Sequence, residues 1–177
     1  MSQTNLLRVG IIGCGEITQI AHIPTLGFLS DSYRITYLCD VSEDSLEHCK
    51  NKVIGGCQKR RRIPQHLAAS SDVDVVFVVS STESHTSHVV LGLKLNKHVF
   101  IEKPMCLTYR DADLIIDAEK NSEGKVFVGY MRRYATAFQD ALEEIGHDKI
   151  VYARVRGKCI SKFCLNLLTL QFRYNRA

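Results

Sequence analysis

The sequence predicts a doubly wound α/β domain, a parallel sheet with helices on both faces, followed by the start of an α+β second domain. Three observations point there. Short apolar runs rich in branched residues alternate with helix-forming stretches as far as residue 129. A glycine turn joins the first run to the first helix, and polar segments follow the runs at their carboxyl ends.

The first run, residues 6–12, ends in glycines, as a strand buried on both faces would. Gly10, Gly13 and Gly15 lie in Val-Gly-Ile-Ile-Gly-Cys-Gly-Glu-Ile, straight before a helix that starts near Glu16. Pro24, which has no amide donor, is expected to bend or end that helix. Residues 35–39 read as a second strand closing on Asp40, and residues 43–50 as a polar helix crossing back over the sheet. Residues 51–71 show no clean period, because Gly55, Gly56, a basic run and Pro64 interrupt them. Order returns with a strand at 73–79, a helix from about Ser84 whose Val89 and Leu93 share a face, and a strand at 99–101. Thr108 and Asp111 then resemble a capping box for a helix with Leu114, Ile115 and Ala118 on its inner face. Residues 125–129 give one more strand, so the first domain is expected to span 1–129 and the second to begin at 130. There Tyr134, Phe138, Ala141, Leu142 and Ile145 are spaced as a helical stripe, Gly146 is placed to cap it, and residues 150–155 alternate as a half-buried strand.

Composition excludes several classes. With 45% hydrophobic and 24% charged residues and three prolines, the chain is neither disordered nor collagenous. Its apolar runs are too short to cross a bilayer and its first residues lack the apolar core of a signal peptide, so a cytoplasmic protein without a membrane partner is expected. Seven cysteines without zinc-knuckle spacing read as reduced thiols, and no metal site is expected. The run Lys59, Arg60, Arg61, Arg62 has no basic or aromatic company, which favours a solvated loop over a nucleic-acid patch.

In the glycine turn, Gly13 permits a tight bend, and Gly15 lets backbone amides approach a pyrophosphate at the positive end of the helix. Gly13, Gly15, Glu16 and Ile17 are therefore assigned to cofactor binding, although Thr18 stands where the fingerprint has its third glycine or alanine. Asp40 ends the second strand near the spacing at which a carboxylate takes the adenine ribose hydroxyls. It would also repel a 2′-phosphate, and Val41 and Ser42 bring no cation, so NAD is favoured over NADP.

Together with His22 and Pro24, the segments GIIGCGEI, CD at 39–40, STESH at 81–85, HVFIEKP at 98–104 and VGYMRRY at 128–134 resemble the Gfo/Idh/MocA oxidoreductases, over roughly residues 6–156. The resemblance implies a Rossmann-type domain, a small-molecule substrate, and hydride transfer between the nicotinamide and a hydroxyl or carbonyl of a sugar or polyol. It implies that Lys103 is catalytic, polarising the substrate oxygen beside the nicotinamide, with Glu102 positioning the loop and Pro104 stiffening it. Ser80 and Ser81 would follow the cofactor at their strand end, although Ser81 stands where the family often has proline. His85 either lines the cofactor groove or caps the next helix, and His22 reads as a packed core histidine. Arg132, Arg133 and Tyr134 face the substrate side or an interdomain contact.

The resemblance stops after Arg156. Residues 157–177 contain no aspartate, no histidine and no family motif, where the family continues into a large sheet that supplies both for proton transfer. The chain is thus expected to be truncated, inactive in turnover, unable to oligomerise through that sheet, and loosely anchored over its apolar tail. A non-catalytic nucleotide-binding module, either a redox sensor or a degraded gene product, is the alternative.

Overall fold

The computed structural model describes residues 6–57 and 59–146, together with the backbone of two further strands at 152–157 and 168–173. The chain divides into two compact units, Met1–Tyr130 and Met131–Ala177.

The first unit is built on six strands: β1 (Leu7–Ile12), β2 (Tyr33–Cys39), β3 (Lys59–Arg61), β4 (Val75–Val78), β5 (His98–Ile101) and β6 (Val126–Val128). All neighbours pair in parallel, in the order β3-β2-β1-β4-β5-β6. The order reverses between β1 and β4, where open parallel sheets form a crevice beyond the strand ends. Successive side chains point to opposite faces, so two cores form. On one face Val9, Ile11, Ile35 and Leu38 pack with Ile23 and Leu26 of α1 (Ile23–Phe28) and with Leu46 and Cys49 of α2 (Glu43–Lys52). On the other, Ile12, Tyr37, Val76, Val78, Val99 and Ile101 meet Leu67 of α3 (Pro64–Ala68), Val89 and Leu93 of α4 (Thr82–Lys94) and Ile115 of α5 (Tyr109–Lys120). Asp74, the one charge in the apolar run at 73–79, sits just before β4. Its carboxylate takes the Arg8 backbone N–H (2.9 Å) and is gripped by two guanidinium nitrogens of Arg8, at 2.9 and 2.6 Å.

Several elements differ from the sequence reading. Pro24 does not end the first helix: Thr18–His22 wind as a π-helical turn and α1 continues to Phe28. Proline sits in the first turn of the α segment, where a missing donor costs least. The basic run is not a loop but edge strand β3. Arg60 pairs with Glu43 and Glu47 of α2, Arg62 with Glu43, and Lys59 with Asp72, which neutralises charges that sequence spacing leaves isolated. Helix α4 begins two residues before the expected start, with Ser81 as its N-cap. In α5, Thr108 caps by accepting the Asp111 amide (3.1 Å), but Leu114 is half exposed, and Ile115 alone is fully buried.

The second unit holds a 3₁₀ turn (Met131–Tyr134), then α6 (Thr136–Ile145), then β7 (Tyr152–Gly157) paired antiparallel with β8 (Leu168–Arg173). Gly146 ends α6 with φ +72° and its N–H bonded to the Leu142 carbonyl (3.0 Å). The loosely anchored tail expected at 157–177 lies mostly outside the described residues; the described part is a paired strand.

Candidate functional site

The carboxyl ends of β1, β2, β4 and β5 meet at the reversal of strand order. The first of them leads into the glycine turn. Gly13 has φ +102°, and a Cβ on it would lie 2.5 Å from the Val79 carbonyl carbon and oxygen, so only glycine lets β1 turn this close to β4. Its N–H donates to the Cys39 carbonyl (2.8 Å). Thr18, the departure from the fingerprint, is fully buried and donates its hydroxyl to the Gly13 carbonyl (2.6 Å), while Gln19 Nε2 donates to the Cys14 carbonyl (2.9 Å). The turn is thus tied down from the helix it feeds. Gly15 is exposed, and a Cβ there would meet nothing within 4 Å. Glu16 and Ile17, also exposed, open the helix. The open space over Gly15, at the amide-bearing start of a helix, fits a pyrophosphate.

Asp40 follows β2 and accepts two backbone N–H groups, Cys14 at Oδ2 (2.6 Å) and Ser42 at Oδ1 (2.8 Å). An ionised carboxylate has about four acceptor positions, which leaves room for ribose hydroxyls. A cation that local sequence does not reveal comes from β3, whose Arg61 pairs in register with Cys39 beside Asp40. Sequence spacing could not show this, because the chain returns to that point only through α2.

After β4, the Ser80 carbonyl faces His85 Nε2 (3.0 Å), and the Ser80 hydroxyl meets His88 Nδ1 (3.0 Å). His85 is 1% exposed, and its Nδ1 faces the Pro104 carbonyl (2.9 Å). It joins the ends of β4 and β5, so whatever it does for a cofactor is exerted through Ser80 and Pro104. Ser81 is exposed, with its carbonyl on the Ser84 amide (2.9 Å).

Burial, with His85 adding to it, holds the His88 imidazole below its ordinary value of 6.5. The unfolded chain therefore takes up this proton first, and stability falls as pH drops below 6.5, while above it His88 contributes no slope. Urea midpoints measured from pH 8 to 5 are expected to fall less steeply in His88→Gln than in the parent. Parallel curves would remove His88 as the cause.

Beyond β5, the Glu102 carboxylate takes the Lys103 amide at Oε2 (3.0 Å), and His22 Nε2 lies 2.9 Å from Oε1. Lys103 is exposed at the end of the strand, and the bond to Pro104 is cis. His22 is not only a packed histidine: it contacts Phe77 and Phe100 edge-on, but its polar edge reaches the loop. Arg132, Arg133 and Tyr134 lie in the second unit and are exposed. Among the described residues there is no metal-ligating cluster. Four of the five described cysteines are buried, and burial pushes the thiols of Cys39 to about 12 and Cys57 to about 11, as befits packing groups. No helix among the described residues is long and apolar enough to cross a membrane.

A model of an oxidoreductase family with an NAD-binding Rossmann fold matches residues 7–130. Myo-inositol 2-dehydrogenase of Thermotoga maritima is 36% identical over 145 residues, covering 81% of this chain and 42% of that protein. Inositol 2-dehydrogenase of Salmonella typhimurium is 30% identical over 155 residues, covering 84% of this chain and 45% of that protein. Among solved structures, myo-inositol dehydrogenase from Lactobacillus casei, in complex with NAD(H) and myo-inositol, has a TM-score of 0.73 at 29% identity, over 79% of this chain and 41% of its own. The chain thus spans less than half the length of these relatives.

Proposed function

Because the chain belongs to the Gfo/Idh/MocA oxidoreductase family, with its NAD-binding Rossmann fold, we propose that it serves hydride transfer between NAD and a hydroxyl or carbonyl of a polyol or sugar. On this reading residues 1–129 hold the cofactor and residues 130–177 begin the substrate side. One observation carries the proposal: Gly13, Asp40, Ser80 and Lys103, far apart in sequence, stand at the ends of four strands around a single reversal. The named relatives make an inositol-like polyol the substrate class to try first.

Each residue then has a task. The amides from Gly15 to Ile17 bind the pyrophosphate at the start of the helix. Asp40 accepts the adenine ribose hydroxyls and repels a 2′-phosphate, which makes NAD the preferred cofactor. Ser80 and Ser81 border the nicotinamide half. When bound, the nicotinamide supplies the hydride acceptor or donor. Lys103 Nζ donates a hydrogen bond to the reacting substrate oxygen and stabilises negative charge there as the proton leaves. The chain works on soluble small molecules, in the cytoplasm.

Fluorescence titration of the 177-residue chain is expected to give tighter binding of NADH than of NADPH. An assay of polyols and sugars with NAD then tests the chemistry, with Lys103→Met expected to remove any turnover and to leave NADH affinity within about threefold. Equal affinity for the two cofactors would remove the assigned role of Asp40. Binding without turnover is the outcome expected of this chain, whose residues 157–177 hold no aspartate and no histidine, and turnover lost on Lys103→Met would overturn that expectation.

A further inference from the structure

We propose that His22 is a positioning residue that acts through Glu102 on Lys103, so that the helix after the glycine turn sets the nicotinamide end of the site. This rests on the reading of that strand end as part of an NAD site.

His22 closes the π-helical turn Thr18–His22, which the Thr18 hydroxyl anchors to Gly13 at 2.6 Å. From there its Nε2 reaches Glu102 Oε1 at 2.9 Å, across eighty residues of sequence. An ionised carboxylate only accepts, so Nε2 carries the hydrogen and donates. The other carboxylate oxygen accepts the Lys103 amide at 3.0 Å. A single carboxylate therefore ties the first helix to the backbone of the residue assigned to catalysis. Both partners are largely shielded, with side-chain exposures of 13% for His22 and 20% for Glu102, and shielding strengthens such a bond. The imidazole cannot swing away, because it is braced edge-on against Phe77 and Phe100, with ring centroids at 5.7 and 5.3 Å. Those two rings stack at 4.6 Å and come from β4 and β5, the strands whose ends carry Ser80 and Lys103. The bond and the aromatic brace together fix where the β5 loop stands relative to the pyrophosphate turn. A core histidine needs only the brace. The bond to a carboxylate that also holds Lys103 is what packing leaves unexplained.

The consequence is selective. Loosening the loop should harm ligands that reach the nicotinamide end and spare those that stop at the adenosine end. The test titrates the full chain with NADH and with ADP-ribose, which has the adenosine, pyrophosphate and second ribose but no nicotinamide. His22→Phe keeps a ring against the aromatic pair and removes the donor. It is expected to weaken NADH about tenfold, the usual scale for losing a bond to a charged group, and ADP-ribose less than twofold. His22→Gln, whose amide can donate in place of Nε2, should restore NADH affinity to within about threefold of the parent. In a double-mutant cycle, adding His22→Phe to Glu102→Ala should cost no further NADH affinity, since His22 acts only through that carboxylate. If His22→Phe does not fold, Glu102→Ala, which removes the carboxylate outright, must show a loss of at least that size for NADH and not for ADP-ribose.

Equal weakening of NADH and ADP-ribose would overturn the inference and leave the NAD site standing, as would multiplicative losses in the cycle or failure of His22→Gln to rescue. Absence of binding of either ligand to the parent chain would instead overturn the cofactor reading, and this inference with it.

Discussion

Replacing Gly13 by alanine is expected to abolish NADH binding and to destabilise the first unit by about 2–4 kcal/mol, the combined scale of a strained backbone and a steric clash. A methyl group there meets the Val79 carbonyl carbon at 2.5 Å, and the φ of +102° is one that alanine rarely adopts. Neither can relax alone, because Gly13 is bonded through its N–H to Cys39 and through its carbonyl to Thr18. Gly15→Ala is the contrast. Its methyl meets nothing in the protein, so stability should hold within about 0.5 kcal/mol, while NADH weakens because the methyl enters the space over the helix start. Urea unfolding and NADH titration of the two variants check this. A stable Gly13→Ala protein, or a Gly15→Ala protein with undiminished NADH affinity, would break the assignment of the turn.

Asp40→Ala should weaken NADH by about ten- to a hundredfold, the scale of losing hydrogen bonds to a charged group, and NADPH by less. Two effects add for NADH: the ribose loses its acceptor, and the Cys14 and Ser42 amides lose theirs, which frees the glycine turn from β2. Only the second applies to NADPH, which gains from the loss of the repelling charge. Arg61→Ala should act the other way, weakening NADPH and hardly touching NADH, because Arg61 is paired with Cys39, the residue before Asp40, on the neighbouring strand. Side-by-side titration of both cofactors with each variant measures these changes. An Asp40→Ala protein that kept the parent preference would place the discrimination elsewhere.

The four strands that carry the site, β1, β2, β4 and β5, were legible because each is an apolar run that closes on a glycine or a polar residue. Gly13 and Asp40 were legible for the same reason, since a turn and a strand end constrain residues close in sequence. What could not be read were the long connections. His22 and Glu102 meet only when β5 is placed beside β4, and Ser80, His85 and Pro104 form one cluster only through the same pairing. Thr18 reads as a flaw in the glycine fingerprint, but the hydroxyl that replaces the third glycine supplies a bond to the turn. The basic run defeated periodicity because an edge strand of three residues has no room for a pattern, and its charges are answered by acids on α2 and by Asp72.

That strand also governs how the molecule meets others like itself. β3 borders the six-stranded sheet, and its outer row of amides and carbonyls has no neighbour in the sheet order. An open border of this kind invites another chain to add a strand and begin a stack. Here a second copy adding its own β3 would set Lys59, Arg60 and Arg61 against the same three residues about 5 Å away, and the ion pairs of Lys59 with Asp72 and of Arg60 with Glu43 and Glu47 would have to be fitted into the seam or broken. Charged side chains already committed to acids of their own molecule thus make β3 a poor template for a further strand.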